Sequence, residues 1–393
     1  MSTKPTSLSS PVTPATSLED VVIHTGKTKA GTEDRYYYAS QWELIRWRFG
    51  RHKLAVISLV LLVILYLTAV FCEFIAPYAI DTRFVTFAQS PPSKVHWIKP
   101  DGGFGPYIFG IKKGFNKETF LYDFTEDKNV VYPIQLYIHG DKYKMWNLFN
   151  TDIHLFGITT KDVPLLVFGA DRLGRDLFSR TIYGGRISLS IGLVGVFISF
   201  VLGVLLGGIS GYFGGKVDEI IQRVIDLLLA IPGLPLWMTL AAAFPRDWSV
   251  IKLYFSITVM LSILGWTSLA RVVRGKLLTL REEDYALAAR GAGASDWRII
   301  TRHLLPGFSS HLIVSITFSI PFMILSETAL SFIGVGMLPP AVSWGVLLQD
   351  AQNLTAVAQQ TWLMIPALWV IVTVLLFNFV GDGLRDAVDP YNR

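Results

Sequence analysis

The stretch Ser210–Val217, SGYFGGKV, is the nearest approach in this chain to a phosphate-binding loop. Such a loop needs Gly, four residues, Gly-Lys and then Ser or Thr, so that backbone N–H groups cradle phosphates and the hydroxyl holds Mg2+. Ser210 stands where the first Gly belongs, and Val217 stands where the hydroxyl belongs. The chain is therefore expected not to hydrolyse ATP. No HExxH zinc helix and no GxSxG elbow occurs. The histidines are scattered, and the closest pair, His303 and His311, is separated by Pro306. They read as structural, so neither a metal nor another cofactor is expected on this chain. The only cysteine, Cys72, excludes an intrachain disulfide.

Two features remain that could do work. The first is Glu327, set within the apolar run His311–Gly334. A carboxylate at membrane depth is costly and marks a functional site by default. A structural ion pair, or a helix end close to the surface, would also account for it. Its candidate partners are Arg172, Arg175 and Arg180, so this group reads as an intramembrane ion pair or a gate. The second is the segment YALAARGAGASDWRIITRHLLP, residues 285–306, with Arg290, Arg298, Arg302 and His303 placed between two apolar runs.

That segment predicts two short helices. Glu282, Glu283 and Asp284 suit the first turn of a helix, where acids complement the macrodipole. The good helix formers of YALAAR carry it on. GAGAS breaks it, and Ser295 is a suitable N-cap for a second helix. Trp297, Ile300 and Leu304 then define one apolar face, and Pro306 ends the helix. The small side chains at Ala288, Ala289, Gly291, Ala292 and Gly293 let another backbone approach closely. Physics alone favours an amphipathic elbow that rests on the membrane interface.

The elements that position these residues are membrane spans. Charged residues are 17% of the chain, against about 25% in ordinary soluble proteins, and mean hydropathy is +0.44. Six runs approach the roughly 20 residues needed to cross a bilayer: Leu54–Ile75, Ile187–Ser210, Ile220–Ala243, Leu253–Val273, His311–Gly334 and Thr361–Val380. They must be helices, because lipid offers backbone polar groups no partner. The first lies behind a long polar tail and exceeds a signal h-region, so it is no signal peptide.

Arg46, Arg48, Arg51 and Lys53 precede the first span, which places the N-terminus in the cytoplasm by the positive-inside rule. Six spans return the C-terminus to the same side. Lys and Arg then fall on the cytoplasmic loop between spans four and five, and the loop between spans five and six has none. The pI of about 9.1 follows this topology, so nucleic acid is not an expected partner. Arg180 and Arg186 run against the rule, being external and near a span.

The expected organisation is a cytoplasmic N-terminal tail over residues 1–53, disordered to about residue 31, and a first span over 54–76. An extracytoplasmic insertion with a pre-span segment covers 77–186, and a five-helix core covers 187–393. PIQLYIHG alternates with a period of two, and DIHLFGI is similar, so a small β-rich insertion is expected over about 83–168. Gly203, Gly207 and Gly211 recur every fourth residue along the second span, a spacing that lets helices pack closely in lipid. Pro232 and Pro235 interrupt backbone hydrogen bonding in the third.

LAARGAG followed by RHLLP resembles the EAA loop of ABC-importer permeases. That pattern is Glu-Ala-Ala, three residues, Gly, nine residues, then Ile-x-Leu-Pro. Ala288, Ala289, Gly293, Leu305 and Pro306 match it, while Leu287 replaces the Glu and His303 the Ile. Both departures resemble the dipeptide/oligopeptide branch. RWRFGRHKLAVISLVLL, FGADRLGRDLFSRTIYGGRISLSIG, GYFGGKVDEIIQRVIDLLLAIPGLPL, ETALSFIGVGMLPPAVSWG and NFVGDGLRDAVDP also look like that branch. The resemblance covers about 42–80 and 167–390.

It implies an all-α membrane fold of the type I importer permease, with six transmembrane helices and the β-rich insertion between the first two. It implies ATPase coupling through the loop at 280–306, carried by Leu287, Ala288, Ala289, Arg290, Gly291, Gly293, Leu305 and Pro306. It implies residence in the cell inner membrane and, as partners, a homologous second permease, two ATPase domains holding ATP and Mg2+, and an extracytoplasmic binding protein. The implied cargo is short peptides, with nickel, oligosaccharides or opines as the cargo of other branch members. A proton-coupled secondary transporter would want more buried acids and inverted repeats. A membrane-anchored interaction protein would place the work in the insertion.

Overall fold

A computed structural model describes residues 40–100, 102–117, 121–160, 163–245, 247–353 and 358–389. The tail expected to be disordered lies outside the described residues. The chain enters through α1 (Gln41–Arg51), started by a capping box in which Ser40 and Glu43 satisfy each other's backbone N–H groups. The first apolar helix, α2 (Lys53–Val70), follows, then one turn, α3 (Cys72–Ile75).

Between α3 and the next long helix lie five strands, β1 (His96–Ile98), β2 (Phe104–Asn116), β3 (Leu121–Pro133), β4 (Gln135–Met145) and β5 (Phe149–Gly157). They form two antiparallel sheets, β1-β2-β3 and β4-β5. The alternation of PIQLYIHG does not translate into alternating burial. Ile138 is buried and Leu136 is exposed, because Tyr137 between them takes a positive φ of 56° and disturbs the pleat. Phe87, Ile108, Ile158, Leu165 and Leu166 form a small core beneath the sheets. Buried His154 ties β5 to the end of α3: its Nδ1 lies 2.6 Å from the Ala76 carbonyl oxygen and its Nε2 2.9 Å from that of Asp141.

The helical part continues with α4 (Leu177–Phe213), α5 (Gly215–Ala230), α6 (Gly233–Ala242) and α7 (Val250–Leu280). Then come α8 (Asp284–Gly291), α9 (Asp296–Arg298), α10 (Ser309–Ile333), α11 (Trp344–Leu348) and α12 (Ile365–Val388). Among the described residues, five helices are long and apolar enough to cross a membrane. The third expected span is different. It is broken into α5 and α6, which meet at 85°. The cause is Pro232: it has no N–H to donate, and it holds the residue before it out of the helical region. Ile231 accordingly sits at φ −92°, ψ 127°. The chain has six spans only if this bent pair counts as one.

The second span begins ten residues earlier than its apolar run, at Leu177 in place of Ile187. At roughly 1.5 Å per residue its 37 residues reach about 55 Å, well beyond a hydrocarbon core of about 30 Å. Its first turns carry buried Ser179, Arg180 and Thr181, which pack against protein and so leave no hydropathy signal. The main core lies among α2, α4, α7, α10 and α12, around Leu189, Ile257, Leu261, Ile324 and Trp344.

Candidate functional site

The segment 280–306 lies at the end of the bundle opposite the strands. Helix α8 starts at N-cap Glu283 and ends in a turn in which Ala292 N donates to Ala288 O at 2.9 Å and Gly293 N to Arg290 O at 3.0 Å. Gly293 has φ +78°, a conformation that glycine adopts without the clash a Cβ would make. Ser295 occupies the N-cap position of α9 without making a side-chain cap bond. The helix then widens into a π-helical turn, Ile299–Leu304, and a 3-10 turn, Leu305–Phe308.

That widening corrects the expected apolar face. Ile299, Ile300 and Leu304 are buried, while Trp297 is 60% exposed. An i→i+5 turn changes the angular phase of the helix, so Trp297 leaves the face that Ile300 and Leu304 share. The buried residues pack with Ala286 against Tyr212, Val273, Leu277 and Leu312, which seats the segment on the ends of α4, α7 and α10. Ala289 and Leu305 are half-buried against the same cluster.

Leu287, Ala288, Arg290, Gly291, Gly293 and Pro306 are exposed. A Cβ added at Gly291 or Gly293 would meet nothing within 4 Å. Internal packing therefore does not require Gly291 to lack a side chain. The backbone is left bare toward the outside, on a surface that Leu287 and Trp297 make partly apolar.

Two side-chain links tie this surface to the long helices, and a third joins α7 to α5. Arg290 Nη2 donates to the Tyr212 hydroxyl at 3.2 Å, and that hydroxyl donates to Asp296 Oδ1 at 2.6 Å. Arg281 donates to the Gly211 and Tyr212 carbonyls at 3.2 and 3.1 Å. Arg274 grips both oxygens of Asp218 at 2.5 Å, where Ser210 also donates. The SGYFGGKV stretch is thus a helix-to-helix turn whose Ser210 and Tyr212 are engaged by their own chain. Tyr212 is a joint that sequence reasoning missed, since an aromatic at the end of a span reads as an interfacial anchor.

Gly203, Gly207 and Gly211 line the contact of α4 with α7. A Cβ would come 3.0 Å from Leu269 at Gly203, 2.8 Å from the Ala270 Cα and closer still to its carbonyl oxygen at Gly207, and 2.7 Å from the Arg274 carbonyl at Gly211. The backbones of the two helices meet there.

At the opposite end Glu327 is fully buried, and the expected ion pair is not formed. Its oxygens accept from Ser188 at 3.2 Å and Ser331 at 2.8 Å. Arg172 is taken by Asp350 at 2.8 Å, and Arg175 and Arg180 by Asp171 at 2.7 and 3.1 Å. The reason is local. Asp171 belongs to the same turn as Arg175 and lies near the start of α4, whereas hydroxyls on α4 and α10 itself reach Glu327. Burial holds the Asp350 carboxyl above its ordinary range although Arg172 draws it down.

Ser188 and Ser331 also accept the backbone N–H groups of Trp344 and Met337 at 3.1 and 2.9 Å. Trp344 Nε1 donates to the Thr181 carbonyl at 3.0 Å. Glu327 is thus the centre of a knot that fastens α11 to α4 and α10. Between α7, α10 and α12 opens a cavity of about 580 Å3, lined by Ser268, His311, Ser315, Ser319 and Arg385 among others.

Residues 203–393 match the family model of the binding-protein-dependent transport system inner membrane component, and residues 40–92 that of the N-terminal transmembrane domain of oligopeptide transport permease C. The oligopeptide transport system permease protein OppC of Bacillus subtilis is 31% identical over 90% of this chain and 91% of its own length. The dipeptide permease DppC of Lactococcus lactis is 34% identical over 87% of this chain and 88% of its own length. DppC of Bacillus subtilis is 40% identical over 58% of this chain and 69% of its own. An inward-facing structure of the MetNI methionine ABC transporter aligns with a TM-score of 0.43 and 19% identity, covering 54% of this chain and 98% of that one. A likeness that runs at this level through nearly the whole of both chains places this one in the family of binding-protein-dependent transport system inner membrane components, among its oligopeptide and dipeptide permeases.

Proposed function

We propose that this chain forms half of the translocation pathway of an ATP-driven importer of short peptides, paired with a homologous second permease. A binding protein delivers the peptide on the insertion side, and ATPase subunits act at the segment 280–306. The peptide class rests on relatives named as oligopeptide and dipeptide permeases. With the N-terminus in the cytoplasm, the two arginines that run against the charge rule are neutralised on the outer side, Arg186 by Glu73 at 2.5 Å and Arg180 by Asp171.

The observation that carries the coupling role is the bare backbone at Gly291, next to exposed Leu287 and Trp297 and wired through Tyr212 to α4. A motor that closes against this surface moves α4 and, through the glycine stripe, α7. The cavity between α7, α10 and α12 has a largely apolar wall set with the hydroxyls of Ser268, Ser315 and Ser319 and the charge of Arg385, and so suits the pathway wall. The test is Gly291→Trp in the reconstituted transporter. The chain should fold, because nothing lies within 4 Å, but peptide-stimulated ATP hydrolysis and uptake should be lost. Full activity of that variant would refute the coupling role.

A further inference from the structure

The hairpin of β4 and β5 turns at Trp146 and Asn147, both at positive φ, 51° and 59°. Positive φ is uncommon for residues other than glycine, and rarer for a bulky side chain. Hairpin tips in water favour Asn-Gly or Asp-Gly. This one carries apolar side chains in the open: Leu148 is 73% exposed, Phe149 61% and Trp146 44%.

The height of this tip relative to the bilayer is set by α2. Its 18 residues span about 27 Å at roughly 1.5 Å each, close to the hydrocarbon thickness of about 30 Å. Its last residue, Val70, therefore sits at the boundary between acyl chains and headgroups. Trp146 Nε1 donates to the Val70 carbonyl at 2.8 Å, and the rings of Trp146 and Phe71 lie 5.4 Å apart. The last carbonyls of a helix have no partner within the helix. Trp146 supplies one at the depth where tryptophan is enriched in membrane proteins, with its ring in the interface and its N–H satisfied.

The apolar side chains next to Trp146 continue the lipid-facing surface of α2, where Val63, Ile64, Leu67 and Val70 are exposed. On the strand leading away from the tip, Lys144 is exposed, two residues from Trp146. That suits the level of the lipid phosphates.

We propose that the β4–β5 tip, Trp146–Phe149, is seated in the interface of the leaflet at the Val70 end of α2, so that the insertion rests on the bilayer. The seat fixes how far the two sheets stand above the membrane, and so the height at which a docked protein meets them. It depends on α2 crossing the bilayer and is independent of the peptide assignment.

The test uses the assembled transporter in nanodiscs of phosphatidylethanolamine and phosphatidylglycerol. A spin label is placed at Leu148→Cys in a Cys72→Ser background, with Asp123→Cys on exposed β3 as the comparison. Oxygen, which partitions into lipid, should relax the label at 148 several-fold more than a water-soluble nickel complex does, and the order should reverse at 123. A label at 148 reached mainly by nickel lies in water and overturns the proposal. One reached by neither reagent is covered by protein, such as the second permease, and also overturns it. A second readout keeps Cys72: lipids brominated near the headgroup should quench less of the fluorescence in Trp146→Phe than in the unaltered chain. Equal quenching would contradict the seat.

Discussion

Tyr212 and Asp296 are joined by a hydrogen bond of 2.6 Å that crosses from the last turn of α4 to the first residue of α9. With Arg290 donating to the same hydroxyl, one phenol holds both sides of the glycine corner at a fixed distance from a helix that runs the length of the bundle. Through this joint a push on residues 287–297 reaches the spans.

Tyr212→Phe should therefore uncouple the transporter without unfolding it. The ring stays in its apolar cluster, while bonds to a guanidinium and a carboxylate are lost, worth roughly 1.5–3 kcal/mol each at most. We expect basal ATP hydrolysis to persist and its stimulation by loaded binding protein to fall on the order of tenfold, the effect of about 1.4 kcal/mol. Unchanged stimulation would show that Tyr212 is only structural.

Gly207→Val should separate α4 from α7. A Cβ there already reaches 2.8 Å from the Ala270 Cα and clashes with its carbonyl oxygen, and overpacking of this kind costs about 1–3 kcal/mol. Gly208→Ala is the control, because its nearest neighbour lies at 3.8 Å. The melting temperature of the purified complex should fall for the first and hold for the second.

Glu327→Leu should destabilise the knot around Glu327 more than Glu327→Gln. Leucine leaves the Ser188 and Ser331 hydroxyls without an acceptor, at about 1–3 kcal/mol for each buried group. Glutamine keeps one acceptor oxygen. If thermal unfolding of the two variants coincides, the hydroxyl contacts do not hold α11.

Asp176 caps α4 through its bond from Ser179 N at 2.7 Å, and burial pushes its carboxyl up from 3.8 to about 6. For an acid raised on folding, the neutral form is the one favoured in the folded state. Its contribution is complete below about 3.8 and is lost as the pH climbs through 6. The rise corresponds to about 3 kcal/mol. Asp176→Asn, which is neutral and still able to cap, should match the unaltered chain near pH 4 and unfold at a higher temperature than it at pH 8. Parallel melting curves across that range would contradict this.

The apolar runs made most of the helices legible, because lipid tolerates no other backbone solution. Two boundaries were hidden. The break at Ile231–Pro232 lies inside one expected span, where Pro232 announces an interruption but a strong bend and a slight kink look alike. The early start of α4 is written in Ser179, Arg180 and Thr181, whose burial depends on protein folded above them. In the segment 280–306 the corner at Gly293 was readable from GAGAS, since glycine takes a positive φ without the clash of a Cβ. The exposure of Trp297 was not, because it follows from a π-helical turn that has no local sequence mark. The arginines beside Glu327 were misassigned because charge suggests pairing, and only the fold reveals that hydroxyls stand closer.

ATP-driven peptide uptake into proteoliposomes tests the central claim most directly. The vesicles hold this chain, a second permease and the ATPase subunits, with the binding protein added on the insertion side. The account predicts accumulation of labelled short peptides that requires ATP, the ATPase subunits and the binding protein together. Accumulation driven by a proton gradient in vesicles that lack the ATPase subunits would contradict it.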